Sequence, residues 1–115
     1  MDLNHLHLHV RDLLRSQRFY ESYFGFRERM QVGDILFLRN AEGFDLALVP
    51  DAKTQSFPEW FHFGFRLPTS EEVRLLHARM VSEGVVLNKS LFEAVDLVSF
   101  RCLDPDGYKI EIYWE

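Results

Sequence analysis

Two stretches of strict alternation constrain this chain more than any other feature. "NHLHLHV" (4–10) puts His5, His7 and His9 at every second position, and "WFHFGFRL" (60–67) repeats the alternation with aromatic residues. In a β-strand, side chains at i, i+2 and i+4 share one face. The three histidines therefore line one face of a first strand (about 3–10), and Leu6, Leu8 and Val10 turn to a core. In the second stretch Phe61, Phe63, Phe65 and Leu67 turn to a core, opposite Trp60, His62, Gly64 and Arg66.

A helix signal follows each strand. Asp12 is placed to cap a helix over 13–24 with Leu13, Tyr20 and Phe24 on one stripe, and Gly25 ends it. Thr69 and Glu72 read as a capping box for a helix to about residue 83, with Val73, Leu76 and Met80 as its apolar stripe and Gly84 as its stop. Three strand patterns complete each half, near 26–32, 34–40 and 44–49, and near 85–88, 95–103 and 108–114. His5 lies seven residues before Asp12, and His62 seven before Thr69. The repeat predicts a single α+β domain over 1–115 built from two βαβββ modules, 1–50 and 59–115. These form a curved mixed sheet with helices on the outer face. The proline-bounded stretch "PDAKTQSFPE" (50–59) reads as the connector.

Composition narrows the partners. The 115 residues carry a formal net charge of −5 and no basic run, which argues against nucleic acid. Cys102 is the single cysteine, so no intrachain disulfide forms, as suits a reducing compartment. No apolar run approaches membrane-spanning length and no signal-peptide pattern is present. These features predict a soluble, cytoplasmic protein.

The C-terminal stretch "DPDGYKIEIYWE" (104–115) fits a hairpin. Pro105-Asp106-Gly107 suits a three-residue loop with glycine in the left-handed position. Asp104 then pairs with Tyr108, Arg101 with Glu111 and Ser99 with Tyr113. Ile110, Ile112 and Trp114 point to the core, and Glu111 joins the polar face that also carries His5 and His62. Two imidazoles and a carboxylate can hold a divalent transition metal. The same residues also suit plainer roles: Glu111 ion-paired to Arg101, and the histidines hydrogen-bonded in a pocket lining.

The chain resembles the vicinal oxygen chelate superfamily, which includes glyoxalase I, bleomycin-resistance proteins, extradiol dioxygenases and fosfomycin-resistance transferases. The resemblance rests on "LNHLHLHVRD" (3–12), "SQRFYESYFGF" (16–26), "WFHFGFRL" and "LDPDGYKIEIY" (103–113). It implies one divalent metal per site, of the Fe, Mn, Ni or Zn type, with His5, His62 and Glu111 as ligands. His7 and His9, about 7 and 13 Å further along the strand, are then placed for substrate or outer contacts. Glyoxalase I-type enzymes carry a further glutamate four residues after the first module's turn glycine, and here that position is Ala47. Ordinary glyoxalase I chemistry is therefore disfavoured, and three ligands remain, as in the dioxygenases and the fosfomycin transferases. The dioxygenases are longer, and those transferases carry an arginine-bearing tail beyond their last strand.

Two classes of function follow. The first is a metal-dependent dioxygenase, lyase, isomerase or transferase acting on a small substrate that chelates the metal through adjacent oxygens. His7 and Tyr113 are its candidate catalytic groups, and His9, Trp60 and Arg101 its candidate substrate contacts. The second is a metal-free protein that sequesters a small molecule, such as a drug, in an aromatic-lined groove. For chains of this length the resemblance also implies a homodimer. The first module of one copy faces the second module of its mate, so the sites are shared.

Overall fold

Leu8 and Val10 on one side of the first strand, and the histidines on the other, set the layering of the N-terminal half. In the computed structural model, which describes residues 1–53 and 55–115, the chain divides into two units, Met1–Ser56 and Phe57–Glu115. The first contains β1 (His5–Val10), α1 (Leu13–Phe24), β2 (Arg27–Val32), β3 (Ile35–Arg39) and β4 (Asp45–Pro50). Its sheet runs β1-β4-β3-β2, with β1 parallel to β4 and the other pairs antiparallel. A parallel pair cannot be closed by a tight turn, so the crossover from β1 passes through α1.

The core of this unit is Leu8, Val10, Leu36, Leu38, Leu46 and Leu48 from the strands, with Tyr20 from α1 and Phe26. Burying each such side chain contributes roughly 1.5–3 kcal/mol. Of the expected helix stripe, Tyr20 is buried and Leu13 and Phe24 are half-buried, while Ser16 is buried beside them. Asp12 caps α1 by accepting from the Arg15 amide at 3.1 Å.

The second unit repeats the order with β5 (Phe63–Arg66), α2 (Ser70–Ser82), β6 (Leu87–Glu93), β7 (Val98–Leu103) and β8 (Lys109–Trp114). Its sheet runs β5-β8-β7-β6, with β5 parallel to β8. Val98, Phe100, Cys102, Ile110 and Ile112 pack with Val73 and Met80 of α2. Thr69 caps α2 as expected. Its hydroxyl accepts from the Glu72 amide at 3.2 Å and donates to the Glu72 carboxylate at 3.0 Å.

The repeat extends to individual hydrogen bonds. The Asn40 amide bonds the Phe44 carbonyl at 3.1 Å, and the Asp104 amide bonds the Tyr108 carbonyl at 2.9 Å. Within each turn the side chain of the first residue, Asn40 or Asp104, accepts the amide four residues on. Gly43 and Gly107 occupy the same left-handed position, with φ of 83° and 89°, where a side chain is strained.

Several sequence expectations need correction. β5 begins at Phe63, so Trp60 and His62 precede the strand, and Phe61, Phe63, Phe65 and Leu67 are half-buried rather than buried. β6 extends to Glu93 and β7 starts at Val98, because a bond from the Ala94 amide to the Leu97 carbonyl at 2.7 Å closes the turn between them. Trp114, expected in the core, is half-buried at the end of β8. Of the expected connector, Thr54 lies outside the described residues. No helix among the described residues is long and apolar enough to cross a membrane.

Candidate functional site

β8 carries the second unit's site. The turn at Pro105–Gly107 fixes the β7–β8 register, pairing Arg101 with Glu111 and Ser99 with Tyr113 as the turn chemistry predicts. On its other side β8 pairs with β5, which sets Gly64 opposite Glu111. Extending that register by one residue brings His62 beside the start of β8. Its Nε2 lies 3.7 Å from Oε2 of Glu111, too far for a hydrogen bond. Each group therefore keeps its lone pairs.

The imidazole is oriented from behind. Nδ1 of His62 lies 3.0 Å from the Trp60 carbonyl oxygen. A carbonyl can only accept, so Nδ1 carries a proton, and in the neutral imidazole Nε2 is the nitrogen that presents a lone pair. His5 is held in the same way. Its Nδ1 lies 2.8 Å from Oδ1 of Asn4, which leaves Nε2 as the lone-pair nitrogen. Metal-binding histidines are characteristically fixed through the other ring nitrogen like this.

Gly64 makes the approach of β5 to Glu111 possible. A Cβ there would lie 2.9 Å from the Glu111 carbonyl oxygen and 3.3 Å from its Cβ. Alternation put Gly64 on the polar face, but only the strand pairing reveals why it lacks a side chain.

The plainer pairing of Glu111 with Arg101 is not what forms. The two are cross-strand neighbours, yet no ion pair joins them among the described residues, and Nε of Arg101 is buried without a hydrogen-bond partner. Arg101 instead lines a cleft of about 480 Å³ with Glu59, Trp60, His62, Asn88, Lys89 and Lys109. Glu59 and Lys109 escaped the sequence reading because their meeting depends on side-chain conformation. Tyr113 is half-buried on β8, and its carbonyl accepts from the Leu67 amide at 2.8 Å.

In the first unit, His5 and His7 are exposed on β1 and His9 is half-buried. His7 stacks on His9 with ring centroids 5.2 Å apart. Nδ1 of His9 lies 2.8 Å from Oδ2 of Asp51, and this bond holds the Asp51 carboxyl below the ordinary carboxylate range. Ala47 sits opposite His7 in the place that Glu111 takes opposite Gly64. Asp45, opposite His5, is clamped by Arg39 at 2.7 Å and Arg29 at 3.3 Å, and the Arg39 bond lowers its pKa. Its oxygens are thus engaged, and Ala47 offers none. Among the described residues no group of three or more His, Cys, Asp or Glu is gathered as a metal would need.

The sequence matches the Glyoxalase/Bleomycin resistance protein/Dioxygenase superfamily over residues 2–112. The chain belongs to this superfamily. Solved structures agree. A possible glyoxalase from Bacillus cereus is 28% identical, with 97% of each chain covered and a TM-score of 0.83. The genomically encoded fosfomycin resistance protein FosX from Listeria monocytogenes is 23% identical over 100% of this chain and 93% of that one, with a TM-score of 0.86. Lactoylglutathione lyase from Agrobacterium tumefaciens is 17% identical over 98% and 92%, with a TM-score of 0.76. At these identities the last two similarities speak to the fold alone. No curated protein matches the chain. The superfamily includes enzymes and binding proteins of several kinds, so its membership sets the fold but not a reaction.

Proposed function

We propose that this superfamily member is a metal-dependent enzyme acting on a small substrate that chelates a divalent ion through adjacent oxygens. The observation that carries the reading is the His62–Glu111 pair. It comprises an imidazole whose tautomer is fixed by a carbonyl and a carboxylate not bonded to it. His5 has the same fixed tautomer and supplies the third ligand. The donor set fits a divalent transition metal, which when bound acts as a Lewis acid on substrate oxygen. The protein's own residues position the substrate: Arg101, Trp60 and His9 bind it, while His7 and Tyr113 are the candidates for moving a proton.

The active unit in this reading is a homodimer with two equivalent shared sites. His62 and Glu111 come from one copy and His5 from its mate. What supports it is that His62 and Glu111 meet within the second unit while His5 lies on the first. Metal analysis of protein purified without chelator tests the reading. About one divalent ion per chain is expected. Protein that neither retains nor takes up Fe, Mn, Ni or Zn contradicts it. The second reading, a metal-free small-molecule binder, is favoured by one observation: Trp60 is 75% exposed at the cleft.

A further inference from the structure

We infer that His7 and His9 form a second site for a divalent transition metal, separate from the His5, His62 and Glu111 set. The inference goes beyond the reading above and does not depend on it. The ion is of the class that imidazoles favour: Zn(II), Ni(II) or Cu(II).

Strand periodicity puts His5, His7 and His9 on one face of β1. Of the three, His7 and His9 are the two whose rings meet, with centroids 5.2 Å apart. Two imidazoles bound to one ion at about 2.0–2.1 Å, in a tetrahedral arrangement, have ring centres about 5 Å apart. The ring spacing on β1 is already that of a shared ion. His7 is exposed and His9 half-buried, so an ion reaches both from solvent. His7 makes no hydrogen bond among the described residues. Rotation about its Cβ–Cγ bond, a soft torsion, aims its nitrogen.

His9 is the better prepared of the two. Its Nδ1 lies 2.8 Å from Oδ2 of Asp51, a residue 42 positions away in sequence. An ionised carboxylate can only accept, so Nδ1 carries a proton, and in the neutral imidazole Nε2 is the nitrogen that presents a lone pair. The carboxylate is itself held. Oδ2 accepts from the Gln55 side-chain amide at 3.0 Å, and Oδ1 from the Lys53 backbone amide at 2.9 Å. A carboxylate behind a histidine is the arrangement that orients a metal ligand and raises its basicity. Tying the connector to β1 does not require it, because the Asp51 amide already donates to the Val10 carbonyl at 2.8 Å. Water completes the coordination, as in open metal sites. With two protein donors against three, this site is weaker than the three-ligand set and fills only when ion is added. Its loss leaves the tighter ion in place. An ion here occupies the imidazoles that the proposed reaction draws on, so the two uses of this face exclude each other.

The test uses untagged protein carrying His5→Ala and Glu111→Gln, in which the three-ligand set is disabled. Its failure and that of the metal reading are therefore separable. The probes are Zn(II) and Cu(II) alone, titrated by calorimetry, with the Cu(II) form read by electron paramagnetic resonance. About one ion per chain is expected, Cu(II) tighter than Zn(II), with nitrogen splitting from two imidazoles. His7→Ala and His9→Ala should each weaken Cu(II) binding at least ~10-fold, and Asp51→Asn about 10-fold. His62→Ala in the same chain should change nothing. His7→Ala removes no hydrogen bond, so it keeps the test decisive where loss of the His9–Asp51 bond disturbs the connector. Absence of saturable binding overturns the inference. So does Cu(II) affinity that is unchanged in His7→Ala, His9→Ala or Asp51→Asn, or that falls equally in His62→Ala.

Discussion

Nε2 of His62 and Oε2 of Glu111 lie 3.7 Å apart, with the imidazole's other nitrogen tied to the Trp60 carbonyl. The two side chains come from segments almost fifty residues apart, and β5–β8 pairing joins them. If they hold a metal, their loss should be felt in binding and hardly in folding, because both are partly exposed. His62→Ala and Glu111→Gln should each weaken metal binding at least ~100-fold, beyond what losing an outer partner costs, with little change in melting temperature. His9→Ala should do far less. Calorimetric titration with each metal checks the ranking.

Gly64 should tolerate no side chain. Its added Cβ would stand 2.9 Å from the Glu111 carbonyl oxygen, a backbone atom within the sheet. Gly64→Ala should destabilise the protein by about 1–3 kcal/mol, as overpacking does, and shift Glu111 away from His62. Urea unfolding together with metal titration measures both effects.

Asp51 supplies a pH dependence of defined sign. The His9 hydrogen bond depresses its folded pKa. That stabilisation is present above the unfolded carboxylate value of about 3.9 and is lost as pH falls through the depressed folded value. His9→Ala should bring the Asp51 titration back up, read by carboxyl carbon NMR, and remove this part of the acid-side stability loss.

Cys102 should be inert in the native state. Burial, with the Asp104 charge nearby, pushes its thiol up to about 12. The thiolate is the reactive form, so a disulfide reagent at pH 8 should label the protein only as it unfolds. Rapid labelling without denaturant contradicts the packing of β7.

Local chemistry made part of this molecule readable from sequence. The Pro105–Gly107 loop dictated the β7–β8 register, and with it the neighbours of Glu111, because turn type and strand pairing are coupled over a few residues. Asp12 and Thr69 marked both helix starts. β6 was harder. The turn after it, at 94–97, contains neither glycine nor proline, and its pairing with β7 is bulged. The groups that orient the site were not readable at all. Asn4 against His5, the Trp60 carbonyl against His62, and Glu59 against Lys109 depend on side-chain conformations. Gly64 against Glu111 needs a parallel pairing that no turn specifies.

The central claim is a shared site, and mixing two inactive chains tests it most directly. His5→Ala and Glu111→Gln chains should each bind no metal tightly alone. Co-folded, their heterodimer should contain one site lacking two ligands and one site with all three. The account predicts that metal binding returns in the isolated heterodimer at up to about half an ion per chain. Heterodimers that form and bind no metal would contradict it.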